Sequence, residues 1–268
     1  MKLEFLIDED ITIKEYIYNN ISRNFYGYLK EHNVIYTVDG IIKKAHEKVI
    51  KNSQLIIEYE ETKKQEGIYN EKELNIVFED EYYLVLDKPA HLQTIPSRKN
   101  PYDSVFNRLL YYFKDTNYTV HILNRLDKET KGLILVAKSN YAAAIMKEYN
   151  KVYIAKTLNK LPKLSDRIIL PIKRVDGSIK REVNTDGDIA ITNYHLIDSN
   201  DLYTYEVLLE TGRTHQIRVH FSYLNSPLIN DTLYNGASYG DETLGLVCKE
   251  ISFIHPLKKI KLQFESLY

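Results

Sequence analysis

His121-Ile-Leu-Asn-Arg-Leu-Asp-Lys-Glu-Thr-Lys-Gly-Leu-Ile-Leu-Val-Ala-Lys138 joins a polar half to an apolar half. The polar half carries Arg125 and Asp127, two positions apart. The apolar half, Leu133–Ala137, has the length of a buried strand. A carboxylate at the entrance of such a strand stays ionised only if a cation offsets its desolvation. The plainer alternative is a turn or cap, since Asp-Lys-Glu-Thr can open either. Working outward, Tyr141–Tyr149 reads as a helix and Val152–Leu158 as an alternating strand. Upstream, Ile76–Asp87 reads as two strands around an acidic turn. Lys88-Pro89 ends the second, because proline cannot continue a ladder. Ser104–Phe113 reads as an amphipathic helix. Downstream, Asp176-Gly177 and Asp186-Gly187 mark turns. Ile189–Leu196 and Tyr203–Leu209 read as paired strands, and His215–Leu224 as a helix stopped by Asn225-Ser-Pro. Gly245–Val247 and Lys261–Phe264 complete the sheet. Helices and strands mix without strict βαβ alternation, so the fold class is α+β with a largely antiparallel or mixed sheet.

The first sixty residues read as a separate unit. Ile13, Ile17 and Ile21 recur at helical spacing. Ser22 is placed to cap a second helix with Phe25, Tyr28 and Leu29 on its apolar face. Asp39-Gly40 between two short apolar runs is a hairpin signal. Gln54–Tyr59 is a closing strand. This order resembles an S4-like RNA-binding module, with residues 1–60 as that module, 61–73 as a charged linker and 74–268 as a second, catalytic domain. Arg23, Lys30, Lys43, Lys44 and Lys48 are then the candidates for phosphate contact.

Composition narrows the function classes. A net charge of −1 argues against a general polyanion binder. The charge is uneven, however: Lys147–Arg181 holds ten basic and three acidic residues, and Ser22–Lys51 six and three. A basic patch can exist on a neutral molecule. Trp is absent and there are 23 Tyr, so the aromatic load is phenolic. The single Cys, Cys248, rules out an internal disulfide and fits a cytoplasmic protein. It lies in an apolar run, as a small core residue would. The N-terminus is too acidic for a signal peptide, and no apolar run is long enough to span a bilayer. Nothing demands more than a monomer.

A second motif, Thr211-Gly-Arg-Thr-His-Gln-Ile-Arg-Val-His220, reads as a turn at Gly212 leading into a helix that Thr214 could cap. Ile217, Phe221 and Leu224 share one face, and Arg218 stands beside it. Arg213 and His215 lie at the helix N-terminus, a favourable place for phosphate. Together the two motifs resemble those of the RluA-type RNA pseudouridine synthases, whose Arg-Leu-Asp-x-x-Thr-x-Gly pattern is matched at Arg125, Leu126, Asp127, Thr130 and Gly132. Lys88-Pro89 resembles the family's Asn-Lys-Pro-Ala-Gly segment. The matches run through the chain in the family's order.

The resemblance implies a cofactor-free isomerase that flips a uridine out of a structured RNA, ribosomal RNA ahead of transfer RNA. It makes Asp127 the catalytic carboxylate and Arg218 its charge partner. Tyr153 is the phenol that stacks on the base and assists proton transfer. Arg125 splays the RNA, Lys88 and Thr130 support the site, and Ser97-Arg98 contacts RNA. Three positions depart from the pattern. Asn124 stands where His commonly precedes Arg-Leu-Asp, Lys131 where Ser precedes the Gly, and His91 where Gly follows Lys-Pro-Ala.

Other classes fit less well. His215 and His220 are five apart and no Cys joins them, which disfavours a zinc site. There is no Gly-rich nucleotide loop. A glycosidase needs a second carboxylate across the pocket, and none stands out. A catalytically inactive RNA-binding or ribosome-assembly protein of the same fold is the remaining alternative; the retained Asp127, Tyr153 and Arg218 argue against it.

Overall fold

The computed structural model describes residues 1–61, 65–240 and 243–268. The first part of the chain forms β1 (Lys2–Leu6), β2 (Ile11–Thr12), α1 (Ile13–Asn20), α2 (Arg23–Lys30), β3 (Ile35–Val38), β4 (Ile41–Lys43), β5 (Lys48–Val49) and β6 (Gln54–Glu58). β1, β6, β3 and β4 lie in that order in an antiparallel sheet. The β3–β4 hairpin turns at Asp39 and Gly40, with φ of 49° and 82°. Two successive positive φ values are what a tight hairpin asks for, and Asp-Gly accepts them. The Ser22 hydroxyl caps α2 by accepting from the Phe25 N–H at 3.0 Å. Phe25 and Leu29 then pack with Leu3, Leu55, Ile57 and Val38 in a core of their own.

The rest of the chain continues with β7 (Ile76–Glu79), β8 (Tyr83–Lys88), α3 (Val105–Tyr112), β9 (His121–Ile122), β10 (Lys131–Ala137), α4 (Asn140–Ile145), β11 (Asn150–Thr157), β12 (Ser165–Ile169), β13 (Ile172–Arg174) and β14 (Arg181–Val183). Then come β15 (Ile191–Asp198), β16 (Tyr203–Leu209), α5 (Gln216–Tyr223), a 3-10 turn (Thr232–Tyr234), β17 (Leu246–Ile254) and β18 (Lys261–Glu265). The main sheet runs β12-β15-β16-β11-β17-β10-β8-β7, with β9 beside β10 and β18 beside β17. Its pairs are antiparallel except β10 with β17. The fold is thus α+β with a mixed, largely antiparallel sheet. β8 is buried along its whole length, and so is β10 from Gly132 onward, which explains their continuous apolar runs. Gly132, at φ 113°, lies against the Cys248 backbone, where a Cβ would collide. Only glycine allows this close approach of β10 and β17.

Tyr141 on α4 ties the two parts together: its ring meets Phe25 at 5.7 Å and Phe5 at 6.4 Å. Glu61 accepts from the Asn140 backbone at 2.8 Å and from its side chain at 2.9 Å. The charged connection has no helix or strand among its described residues, and these are pinned rather than loose. Gln65 exchanges two hydrogen bonds with Val120, and Asn107 donates to the Ile68 carbonyl. Residues 62–64 of that stretch lie outside the described residues. Among the described residues no helix is long and apolar enough to cross a membrane.

Three local expectations need correction, and one strand, β1, had none. α4 ends at Ile145 rather than Tyr149, because the chain turns so that the Tyr149 hydroxyl donates to the Leu123 carbonyl at 2.6 Å. β17 extends to Ile254, well past Val247; its polar Lys249-Glu250 pair interrupts the apolar pattern opposite an irregularity at Val152/Tyr153. β1 is a full strand where the sequence shows only a short apolar run. Finally, the left-handed residue before α5 is His215, at φ 58°, not Gly212, and Thr214 does not cap the helix. Gln216 reaches back instead, accepting from the Arg213 N–H at 2.9 Å and the Thr211 hydroxyl at 2.8 Å.

Candidate active site

Asp127 stands in the loop between β9 and β10, and that loop is fixed from several sides. The Asn124 amide completes a missing piece of ladder: it donates to the Leu133 carbonyl at 3.1 Å and accepts from the Leu135 N–H at 2.7 Å. The Thr94 hydroxyl donates to the Leu126 carbonyl at 2.6 Å and accepts from the Leu126 N–H at 3.1 Å. The Thr130 N–H closes the turn onto the Asp127 carbonyl at 3.1 Å. The fully buried Lys88 ammonium donates to the carbonyls of Pro89, Leu92 and Lys128. Burial pushes Lys88 down to about 7, against the pull of Asp127 and Glu129. The loop is therefore rigid where it presents the carboxylate, whose side chain remains 27% exposed.

The cation facing Asp127 comes from α5. Arg218 Nη1 lies 3.4 Å from Asp127 Oδ2. The main partner of Arg218 is Asp231, bound bidentately through Nε at 2.8 Å and Nη2 at 2.7 Å. Arg218 is nearly buried and Asp231 fully so. Burial opposes the guanidinium charge, but Asp231 and then Asp127 more than offset it, so the Arg218 pKa rises. The guanidinium also lies 5.1 Å from the Tyr234 ring centroid. One charge is committed to holding the cation, and the other meets it with an edge still open to solvent.

Tyr153, on β11, is buried opposite Cys248. Burial raises its pKa well above the usual range, helped by Cys248, Tyr149 and Asp127. The phenol is therefore neutral at physiological pH. Burial pushes the Cys248 thiol up to about 12. His215 also joins the group: Nδ1 is 2.8 Å from the Tyr234 hydroxyl and Nε2 3.8 Å from Asp127 Oδ2. His220 is turned elsewhere, onto Thr192 and the Leu170 carbonyl.

The structure thus brings Asp127, Arg218, Tyr153, Thr130, Lys88 and His215 together. Arg125 is exposed beside them and makes no hydrogen bond or ion pair with the described residues. Arg98 and Thr214 are exposed too, and Arg213 leans on the Ile189 carbonyl at 3.1 Å and Asp188 at 3.5 Å. Arg23, Lys30, Lys43 and Lys44 lie on the first unit, outside the Asp127 group. Sequence reasoning missed Asp231, Tyr234 and the loop-building role of Asn124. A signal for Asp231 existed: a carboxylate inside Pro227-Leu-Ile-Asn-Asp-Thr-Leu-Tyr234 needs a cation if it is buried, and Arg218 stands beside the apolar face of its helix. Asp231 is the second carboxylate of the cleft, but Arg218 holds both its oxygens and it is fully buried. That position does not suit the exposed second acid or base of glycoside hydrolysis.

The chain as a whole is similar to known proteins. The family described as RNA pseudouridylate synthase matches residues 82–223. An uncharacterized RNA pseudouridine synthase of Bacillus subtilis is 37% identical over 223 residues, 79% of each chain. Ribosomal large subunit pseudouridine synthase D of Pseudomonas aeruginosa is 29% identical over 269 residues, 90% of this chain and 82% of that one. Among solved structures, human RNA pseudouridylate synthase domain containing 1 shares the fold, with a TM-score of 0.58 and 20% identity over 74% of this chain and 85% of its own.

Proposed function

This chain belongs to the RNA pseudouridine synthase family and is an isomerase acting on RNA; from that premise we propose that Asp127 is its catalytic carboxylate and that no cofactor takes part. The reaction breaks the N1–C1′ bond of a uridine and joins C5 to C1′. C5 gives up its proton and N1 ends with one. Nothing is oxidised or reduced, so side chains alone suffice. The observation that carries the reading is the Asp127–Arg218 contact, with Arg218 anchored from behind by Asp231. It is the one partly open carboxylate of this cluster, and it faces a cation that cannot move away.

In this reading the target uridine is flipped into the cleft. The neutral Tyr153 phenol lies along the base and assists proton movement at C5. Arg125, exposed and unpaired among the described residues, fills the gap in the RNA. Lys88 and Thr130 hold the Asp127 loop. Arg213 and Arg98 meet phosphates near the cleft, and His215 completes the pocket wall. Residues 1–60 act as an S4-like RNA-binding module whose Arg23, Lys30, Lys43, Lys44 and Lys48 contact phosphates. Residues 61–73 join that module to a catalytic domain at 74–268. The substrate is ribosomal RNA, by analogy with the ribosomal large subunit enzymes among the relatives. The protein works in the cytoplasm, as its single cysteine fits, and as a monomer, since one chain supplies every residue invoked.

The test is pseudouridine mapping across the RNA of cells lacking this gene, complemented with the wild type or with Asp127→Asn. At least one uridine should be converted with the wild type and left unconverted with the variant. Conversion by Asp127→Asn would remove the carboxylate from the mechanism. Conversion confined to transfer RNA would overturn the choice of substrate.

A further inference from the structure

His215 holds a left-handed backbone, φ 58°, which a non-glycine residue keeps only when its surroundings impose it. That turn delivers the imidazole between Tyr234 and Asp127. The Tyr234 oxygen already accepts from the Arg181 N–H at 2.9 Å, and His215 Nδ1 lies 2.8 Å away. A phenol has one hydrogen to give. Among the described residues Nδ1 is the acceptor it reaches, so the hydroxyl donates to Nδ1. The ring hydrogen then sits on Nε2, the nitrogen that faces Asp127 Oδ2 at 3.8 Å. Arg218 Nη1 approaches that same oxygen at 3.4 Å. No donor among the described residues hydrogen-bonds Oδ1.

We propose that His215, oriented by the Tyr234 hydroxyl, is a positioning residue for Asp127: Nε2–H and Arg218 both face Oδ2 and so turn Oδ1 toward the uridine. The proposal rests on the assignment of Asp127 as the catalytic carboxylate. It also gives the site a pH dependence. The groups facing the ring are Asp127 from the loop before β10, Arg218 on its own helix, Arg181 from β14, and Asp231 and Tyr234 from the segment after α5. Burial lowers the imidazole pKa, Arg218 and Arg181 add to that, and Asp127 and Asp231 oppose it. The neutral ring is also favoured by the hydroxyl that Nδ1 accepts. Without that hydroxyl, Nδ1 is free to take a proton. The resulting imidazolium pairs with Asp127 and draws it from the substrate. Loss of the Tyr234 hydroxyl therefore costs activity on the acid side.

The experiment uses the full chain in excess over total RNA carrying 5-³H-uridine from cells lacking the gene, and measures tritium release against enzyme concentration and pH. His215→Asn tolerates the left-handed backbone and can still reach Tyr234, but not Asp127. It should lose about a hundredfold in saturating rate, the scale of a misplaced catalytic group, with unchanged half-saturation. His215→Gln, whose amide reaches further, should recover part of that loss. Tyr234→Phe keeps the ring over Arg218 and should move the acid limb of the rate toward neutral pH. A purely structural His215 would give Asn and Gln variants alike and leave the Tyr234→Phe profile unmoved; that result overturns the proposal, provided Asp127→Asn is inactive. Release by Asp127→Asn would instead overturn the assignment beneath it.

Discussion

In residues 1–60 the cations stand outside the fold: Arg23 lies over the Tyr18 ring at 5.6 Å and Lys30 over Tyr26 at 5.5 Å. In the cleft the cations are inside. Arg218 is held by two bonds to one carboxylate and faces a second, and Lys88 is held by three carbonyls. An exposed cation on an aromatic face gains about 0.5–1 kcal/mol and keeps its freedom to meet an incoming phosphate. A buried cation is costly to place and cannot be moved once its partners are set. The first arrangement gives affinity that salt screens; the second gives geometry that salt does not reach. Under the proposed function, the first region grips the RNA and the second does the chemistry.

The comparison can be broken most forcefully at Asp231. Asp231→Ala leaves Arg218 buried without its main counter-charge and should cost about 3–5 kcal/mol of stability, the scale for removing one partner of a buried pair. Thermal unfolding reads this directly, and a change within the range of an exposed pair would show that the cleft is not rigidly held. Asn124→Ala comes next. It strands the Leu133 carbonyl and the Leu135 N–H and should cost about 1–3 kcal/mol, with a fall in saturating rate as the Asp127 loop loosens. Wild-type rate in that variant would show that Asn124 does not set the loop.

Smaller effects are expected at the surface. Replacing Arg23, Lys30, Lys43 and Lys44 together by Ala should flatten the salt dependence of RNA binding by roughly three in log–log slope, as loss of four phosphate contacts requires. An unchanged slope would take the first unit out of RNA contact. The smallest concerns His91, at φ 63°, where the family pattern has Gly. His91→Gly relieves a left-handed residue but gives up the exposed contact with Glu129 and some chain stiffness. The expected gain stays below about 1–2 kcal/mol, the cost of that backbone region. A loss on thermal unfolding would show that the Glu129 contact matters more.

The stretch from His121 to Lys138 was legible because its signals are local: an apolar run for β10, a turn before it, and an Arg-x-Asp beside both. The hairpin at Asp39-Gly40 and the Ser22 cap were legible for the same reason. What stayed hidden depends on distant partners. β1 exists because β6 lies beside it, with Lys2 opposite Glu58. Asp231 is explained by Arg218, and Tyr234 by Arg218, His215 and Arg181. The cap of α5 was misread because Gln216 displaces Thr214 by folding back on Thr211 and Arg213. His215 read as a phosphate contact from its place at a helix start, yet its left-handed backbone turns it toward Asp127.

The division of labour is tested most directly by single-turnover tritium release against enzyme concentration for three proteins: the wild type, Asp127→Asn and the variant lacking the four surface cations. Asp127→Asn should lose the plateau rate while binding RNA with wild-type affinity. The surface variant should keep the plateau and need more enzyme to reach it. A surviving plateau in Asp127→Asn, or a plateau lost in the surface variant, would contradict the assignment of chemistry to the cleft and grip to the first unit.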